Sequence, residues 1–215
     1  MYLASIRSSR LKNRLYLSFS DNFVLPFFID DYVLLKLKKG QEINQALFQQ
    51  LIGKSVNYQL KNYALRQLGL SPKTKKIITQ KLLAYLNTVI IKYQLPISLI
   101  DKNTLVLEVV DYLETNKFLN ESAYVDYFIK KNIKKPRRFL EYHLKTNGIN
   151  VSSYAQLLPE SDTETDNVKS LIAKKYLLSE LSDYQNKNKI IAALYRKGFP
   201  LSAIKAAIDD ILKSR

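Results

Sequence analysis

Two stretches of this chain, fifty positions apart, carry the same pattern. Leu140, Leu144, Gly148, Ile149, Ser152, Tyr154 and Leu157 align with Ile190, Leu194, Gly198, Phe199, Ser202, Ile204 and Ala207. Each copy reads as a helix ending in Gly, one apolar residue, a short turn and a second helix. Self-similarity at a period of about 20–50 residues marks stacked helical units. Such units build extended surfaces that bind other macromolecules, and rarely enzyme pockets. The feature points to a binding protein.

The charge balance narrows the partner. Lys plus Arg total 34 and Asp plus Glu 19 among 215 residues, a net charge of +15. That excess implies a polyanion: nucleic acid, a nucleoprotein or an acidic protein surface. The largest local excess lies over residues 117–159, with eight basic and three acidic side chains, so the field is strongest mid-chain.

The same composition excludes most chemistry. With no cysteine, disulfides and thiolate metal sites are ruled out. His143 is the sole histidine, between Tyr142 and Leu144 on a predicted helix, and is expected to be structural. No cofactor, metal or catalytic constellation is read, and the chain is expected not to be an enzyme. Gly40, Gly53, Gly69, Gly148 and Gly198 mostly fall where helices should end, and none forms a phosphate-cradling loop. The pairs Asp30-Asp31 and Asp209-Asp210 are read as solvated. Arg7 and Arg10 interrupt any apolar leader, and no run approaches the roughly 18 apolar residues of a membrane span. The expectation is a cytoplasmic monomer with no membrane partner.

Along the chain, residues 2–7, the alternation of Leu15, Leu17 and Phe19, and the run 23–28 predict three strands, the last two joined at Asp21-Asn22. A short helix from Asp30 or Asp31 to about Leu37 should end at Lys38-Lys39-Gly40. Another, over 44–52, should close at Gly53. Thereafter the pattern is helical. Helices are predicted over 56–69, from a Ser71-Pro72 start through Leu86 and either on through Ile91 or broken near Asn87, and over 102–116. Asn120 should cap the next, Pro136 should open one ending at Gly148, and Ser152 or Ser153 should cap one ending near Pro159. The acidic stretch 160–166 is either a linker or an acidic first turn. Helices over 166–179, 185–197 and 201–213 follow. The fold class is thus mainly α: three tandem three-helix repeats in an elongated curved array, after a small β-containing module. The divisions are 1–55 (strand and short-helix module), 56–116 (repeat 1), 117–159 (repeat 2) and 160–215 (acidic stretch and repeat 3).

Six basic side chains in nine positions, Lys130, Lys131, Lys134, Lys135, Arg137 and Arg138, straddle a helix end and the next helix start. Their mutual repulsion suits an anionic partner, and the helix opened by Pro136 adds backbone N–H groups. Lys73, Lys75 and Lys76 form a smaller copy in repeat 1, and Lys174 and Lys175 another in repeat 3. Tyr63, Tyr112, Tyr124 and Tyr127 fall at helical spacings and are read chiefly as packing groups.

The motifs, taken in order, resemble one family. Val110-Asp111-Tyr112-Leu113-Glu114, Lys117-Phe118-Leu119-Asn120-Glu121, Tyr124 and Phe128-Ile129 follow its "YL…GYLDD.RFA..FV" pattern. Lys135-Pro136-Arg137-Arg138-Phe139, Leu144-Lys145 and Gly148-Ile149 resemble "GP.RI…EL..KGI". Leu194-Tyr195-Arg196-Lys197-Gly198-Phe199 and Ile204-Lys205-Ala206-Ala207-Ile208 resemble "FL.RRGF…I..AL". Leu37 to Ile43 and Tyr63-Ala64-Leu65 look like its N-terminal module and first helix. The family is that of the bacterial regulatory protein RecX, the modulator of the recombinase RecA, in its longer form with an extra N-terminal module. The resemblance implies binding to the RecA–single-stranded-DNA filament and modulation, by inhibition, of its ATP hydrolysis, strand exchange and growth in recombination and repair. Direct binding of single- or double-stranded DNA fits the same charge. A stand-alone helical nucleic-acid-binding protein is the competing reading, although no one helix carries a dense base-reading face.

Overall fold

The computed structural model describes residues 1–10 and 13–213. It divides into two compact units, residues 1–120 and 121–215.

The first unit opens with strands β1 (Leu3–Ser8), β2 (Arg14–Phe19) and β3 (Val24–Phe28), an antiparallel sheet in that order. In β2, Leu15, Leu17 and Phe19 turn into the core while their neighbours stay half-exposed, as the period of two predicts. The β2–β3 turn places Asn22 at φ +66°, with the Phe23 amide donating to Asp21 Oδ1 at 3.2 Å. Asn tolerates this left-handed geometry better than most residues do.

Both sheet edges carry local contacts. Gly40 donates to the Leu3 carbonyl at 2.8 Å, Leu3 donates to Gln41 O at 2.9 Å and Ile43 to Met1 O at 2.8 Å, so residues 40–43 pair with the start of β1. Pro26, which lacks an amide donor, sits on the edge strand β3. Buried Ser55 donates its hydroxyl to the Pro26 carbonyl at 2.5 Å. Unpaired strand edges invite intermolecular pairing, and these contacts occupy part of each edge.

Helix α1 (Ile29–Leu34) stops short of Gly40, whose φ of +80° instead serves the turn that pairs with Leu3. The two helices expected over 44–52 and 56–69 are one, α2 (Gln45–Leu70). Gly53 lies inside it, because sheet packing on one side and helix packing on the other outweigh its poor helix propensity. The side chain of Asn44 caps it, accepting from Leu47 N at 2.9 Å. Helix α3 (Lys75–Lys92) runs on past Asn87, and its cap is Thr74 (Oγ1 accepts from Ile77 N at 3.1 Å) rather than Ser71-Pro72. After a 3₁₀ turn at Ile97–Leu99, Asp101 caps α4 (Lys102–Thr115). One core joins sheet and helices, including Leu17, Phe27, Leu60, Leu82, Val109 and Leu113.

The second unit contains α5 (Glu121–Asn132) and α6 (Arg137–Thr146). Pro136 immediately precedes α6, and Gly148 at φ +84° follows it, both as expected. The helix expected from Ser152 is a 3₁₀ stretch, Val151–Leu157, kinked at Tyr154 and without a side-chain cap. Helix α7 (Ser161–Lys175) absorbs the acidic stretch as its first turns. Asp162 and Glu164 there suit the positive helix end. A short α8 (Leu178–Ser182) precedes α9 (Tyr184–Arg196) and α10 (Leu201–Lys213). Val168, Ile172, Leu194, Phe199, Ile204 and Ile208 form the core of this last repeat. Lys169 bonds Asp210 at 2.7 Å and Lys54 bonds Asp31 at 2.6 Å. One member of each acidic pair expected to be solvated is therefore ion-paired.

Candidate macromolecular interface: the basic helix turns

Lys130 and Lys131 close α5, and Lys134 to Arg138 span the turn into α6. A helix C-terminus favours cations, which accounts for the first two. Lys130 pairs with Asp126 at 2.8 Å, one turn back, and both groups are well exposed. Exposed i,i+4 pairs contribute only about 0.3–0.5 kcal/mol, so this one yields readily to a partner. Lys131 lies 5.5 Å from the Tyr127 ring and Lys135 5.7 Å from the Phe139 ring, both in cation–π range. Arg137 pairs with Glu141 at 2.8 Å. Lys134 and Arg138 are exposed and make no ion pair with another described residue.

The start of α6 is not an open anion site. The Arg137 amide donates to Glu164 Oε1 at 2.9 Å. That carboxylate comes from the first turn of α7 and is only 4% exposed. An internal anion thus occupies the backbone donor that the sequence offers to phosphate, which leaves the flanking side chains as the cationic surface.

Repeat 3 comes close to this turn. At Gly198 (φ +100°) the chain turns between α9 and α10, and a Cβ added there would lie 3.7 Å from the Pro136 ring. A cavity of about 420 Å³ opens between the two turns, lined by Arg137, Arg138, Glu141, Glu164 and Tyr195. At its margin Lys197 is held below the ordinary lysine range, first by partial burial and then by the nearby Lys175 and Lys135 ammonium groups. Lys197 after α9 therefore lies in the field of Lys175 at the end of α7 and of Lys135 in the turn before α6. Lys197 is the residue that sequence reading missed as a cation site. It stands beside Gly198 in the last of the family-like motifs, but only the turn geometry brings it to Lys135.

The other candidates sit differently. Lys174 and Lys175 are exposed at the end of α7. In the first unit, Lys73 donates to Gln67 O at 3.0 Å, Ser71 O at 2.7 Å and Ser71 Oγ at 2.5 Å, closing the C-terminus of α2. Lys75 bonds Glu114 at 2.9 Å, which raises its pKa. Lys76 is exposed beside it. The structure thus does not gather Lys73, Lys75 and Lys76 into a free patch.

His143 has the structural setting expected of it. Its ring stacks on Phe128 at 4.2 Å, and Nε2 lies 3.4 Å from Tyr124 Oη. Burial lowers its pKa. Among the described residues no three His, Cys, Asp or Glu side chains gather, and no helix is long and apolar enough to cross a membrane.

Residues 162–208 match the third three-helix domain of RecX. Over 212 residues the chain is 24% identical to the regulatory protein RecX of Clostridioides difficile (strain 630), covering 96% of this chain and 93% of that one. It is 27% identical over 213 residues to RecX of Clostridium tetani (strain Massachusetts / E88), covering 95% and 91%. A crystal structure of regulatory protein RecX superposes with a TM-score of 0.61 at 17% identity, covering 97% of this chain and 98% of that one, a likeness of fold. Over nearly its whole length the chain is thus similar to the RecX regulatory proteins, in sequence and in fold.

Proposed function

We propose that this protein binds the RecA–single-stranded-DNA filament and inhibits its ATP hydrolysis, strand exchange and growth, without catalysis of its own. The single observation that best supports a contact surface is the gathering of Lys135, Lys175 and Lys197 from three turns of the second unit. Like charges held together in this way favour an anionic partner, either acidic protein side chains or phosphates. Lys134 and Arg138 extend the surface, and Lys130, Lys131, Arg137 and Lys174 flank it. Lys73, Lys75 and Lys76 supply a lesser contact from the first unit. Contact with neighbouring RecA subunits at once would stiffen the filament against the changes that hydrolysis and growth require.

The test is RecA's DNA-dependent ATP hydrolysis and strand exchange with the protein added well below one per RecA. Strong inhibition at such ratios supports action on the filament, because masking the DNA would take near-stoichiometric protein. No effect on the cognate RecA by the folded protein would overturn the reading.

A further inference from the structure

Far along the sequence from the basic turns, the first unit carries a second cluster with different chemistry. On α2, Tyr58, Asn62 and Arg66 recur every four residues, with Gln59 and Tyr63 beside them, so they share one face. The adjacent stripe, Val56, Leu60 and Ala64, is buried in the core. On the cleft side Asn62 and Arg66 are exposed, while Tyr63 packs partly against the core and Gln59 is buried. Arg14 from β2, together with Tyr85, Lys92 and Tyr93 from α3 and its end, completes a cleft of about 420 Å³ around it. That volume lies in the range of small-ligand sites, about 300–1,000 Å³.

The cleft combines flat aromatic faces with cations. Tyr63 and Tyr85 stack at 4.1 Å with their planes 6° apart. Arg66 lies 5.8 Å from the Tyr63 ring and Lys92 5.3 Å from the Tyr93 ring. Arg14 donates to Tyr16 Oη at 2.6 Å. Among the described residues lining the cleft there is no carboxylate, so nothing there neutralises the three cations. The neighbouring cavity, which shares Tyr58 and Asn62, holds Asp30 and Asp31 and marks where the anion-favouring face ends.

We propose that this cleft binds an unpaired nucleobase of single-stranded DNA, with the base on the tyrosine platform and its flanking phosphates on Arg66 and Lys92. Stacking on tyrosine is tolerant of base identity, and the cations follow the backbone. Asn62, exposed on this face, adds an amide group that can meet a base edge. A duplex hides its base faces, so the cleft discriminates in favour of single strands. An acidic peptide would satisfy the cations but leave the ring platform unused.

The test uses the full chain without RecA, so its failure leaves the filament reading standing. A short labelled thymidine oligonucleotide is compared by fluorescence anisotropy with an abasic strand of equal length and charge. The wild-type protein should bind the base-bearing strand about tenfold or more tightly, since each stacked base is worth about 1–3 kcal/mol. The Tyr63→Leu/Tyr93→Leu variant should lose that preference while still binding both strands. The Arg66→Gln/Lys92→Gln variant changes two exposed residues, so its folding is secure, and it should keep the preference. Its log–log salt slope should fall by about 1.4, at about 0.7 per single-strand phosphate contact. Equal wild-type affinity for the two strands, or an unchanged salt slope in the Arg66/Lys92 variant, would overturn the proposal.

Discussion

The buried carboxylate of Glu164 joins two helices through one hydrogen bond. It accepts from the Arg137 amide, at the positive end of α6, from a site that is almost solvent-free. Charge-assisted bonds of this kind contribute about 1.5–3 kcal/mol, and an orphaned buried donor costs about 1–3 kcal/mol. Glu164→Ala should therefore destabilise the second unit by about 2 kcal/mol in urea unfolding. Glu164→Gln, whose amide oxygen still accepts, should lose about half as much. The nearby His143 gives a pH signature. Its place in the last turn of α6 favours the cation, but burial against Phe128 opposes it and prevails, lowering the pKa from the ordinary 6.5. The unfolded chain then binds the proton more readily. Stability should hold above about pH 6.5 and decline as the pH falls from there toward the folded-state pKa. His143→Phe, which keeps a ring on Phe128, should remove this part of the decline. Comparing melting temperatures of both proteins at pH 7.5 and pH 5.5 checks it, and an unaltered difference would sink the assignment.

At the scale of elements, the glycines separate two physical roles. Gly53 lies inside α2 with nothing within 4 Å of an added Cβ, so its effect is one of propensity alone. Gly53→Ala should stabilise by about 0.5–1 kcal/mol. Gly198 holds φ +100° at the α9–α10 turn, a conformation L side chains rarely adopt. Gly198→Ala should destabilise by about 1–2 kcal/mol, through backbone strain rather than through its ordinary 3.7 Å contact with Pro136. Urea midpoints of the two variants should move in opposite directions. Helix interiors and ends were largely readable from periodicity and from residues such as Pro136 and Gly148. The exceptions lay where local signals compete. Gly53 resembles a stop but is carried through by packing on β3 and α4. Ser71-Pro72 resembles a start, yet the chain delays the helix to Thr74 while Lys73 closes α2 behind it.

For the whole molecule, the proposed binding of a polyanion draws on the net charge of +15, and the fold decides where that charge gathers. The variant Lys135→Ala/Arg138→Ala/Lys175→Ala/Lys197→Ala removes exposed side chains from the second unit without touching its core. It should weaken inhibition of RecA and flatten the salt dependence of filament binding, by up to about 0.7–0.9 in log–log slope for each phosphate that these cations neutralise. Inhibition measured across salt concentrations checks this, and an unchanged slope would remove the cluster from the binding surface. Lys73→Ala should instead act mainly on folding, because its ammonium group closes a helix end. Read along the chain alone, the mainly helical class, the three leading strands, the repeat in the last hundred residues and the basic turns are already legible. All of these rest on neighbours within a few residues, or on a pattern repeated along the chain. Packing alone settles which cations bond Gln67, Ser71 or Glu114, that Glu164 accepts from the first amide of α6, and that Lys197 comes into the field of Lys135. Each of these depends on how helix ends come together in space, and a chain's local periodicity carries no record of that.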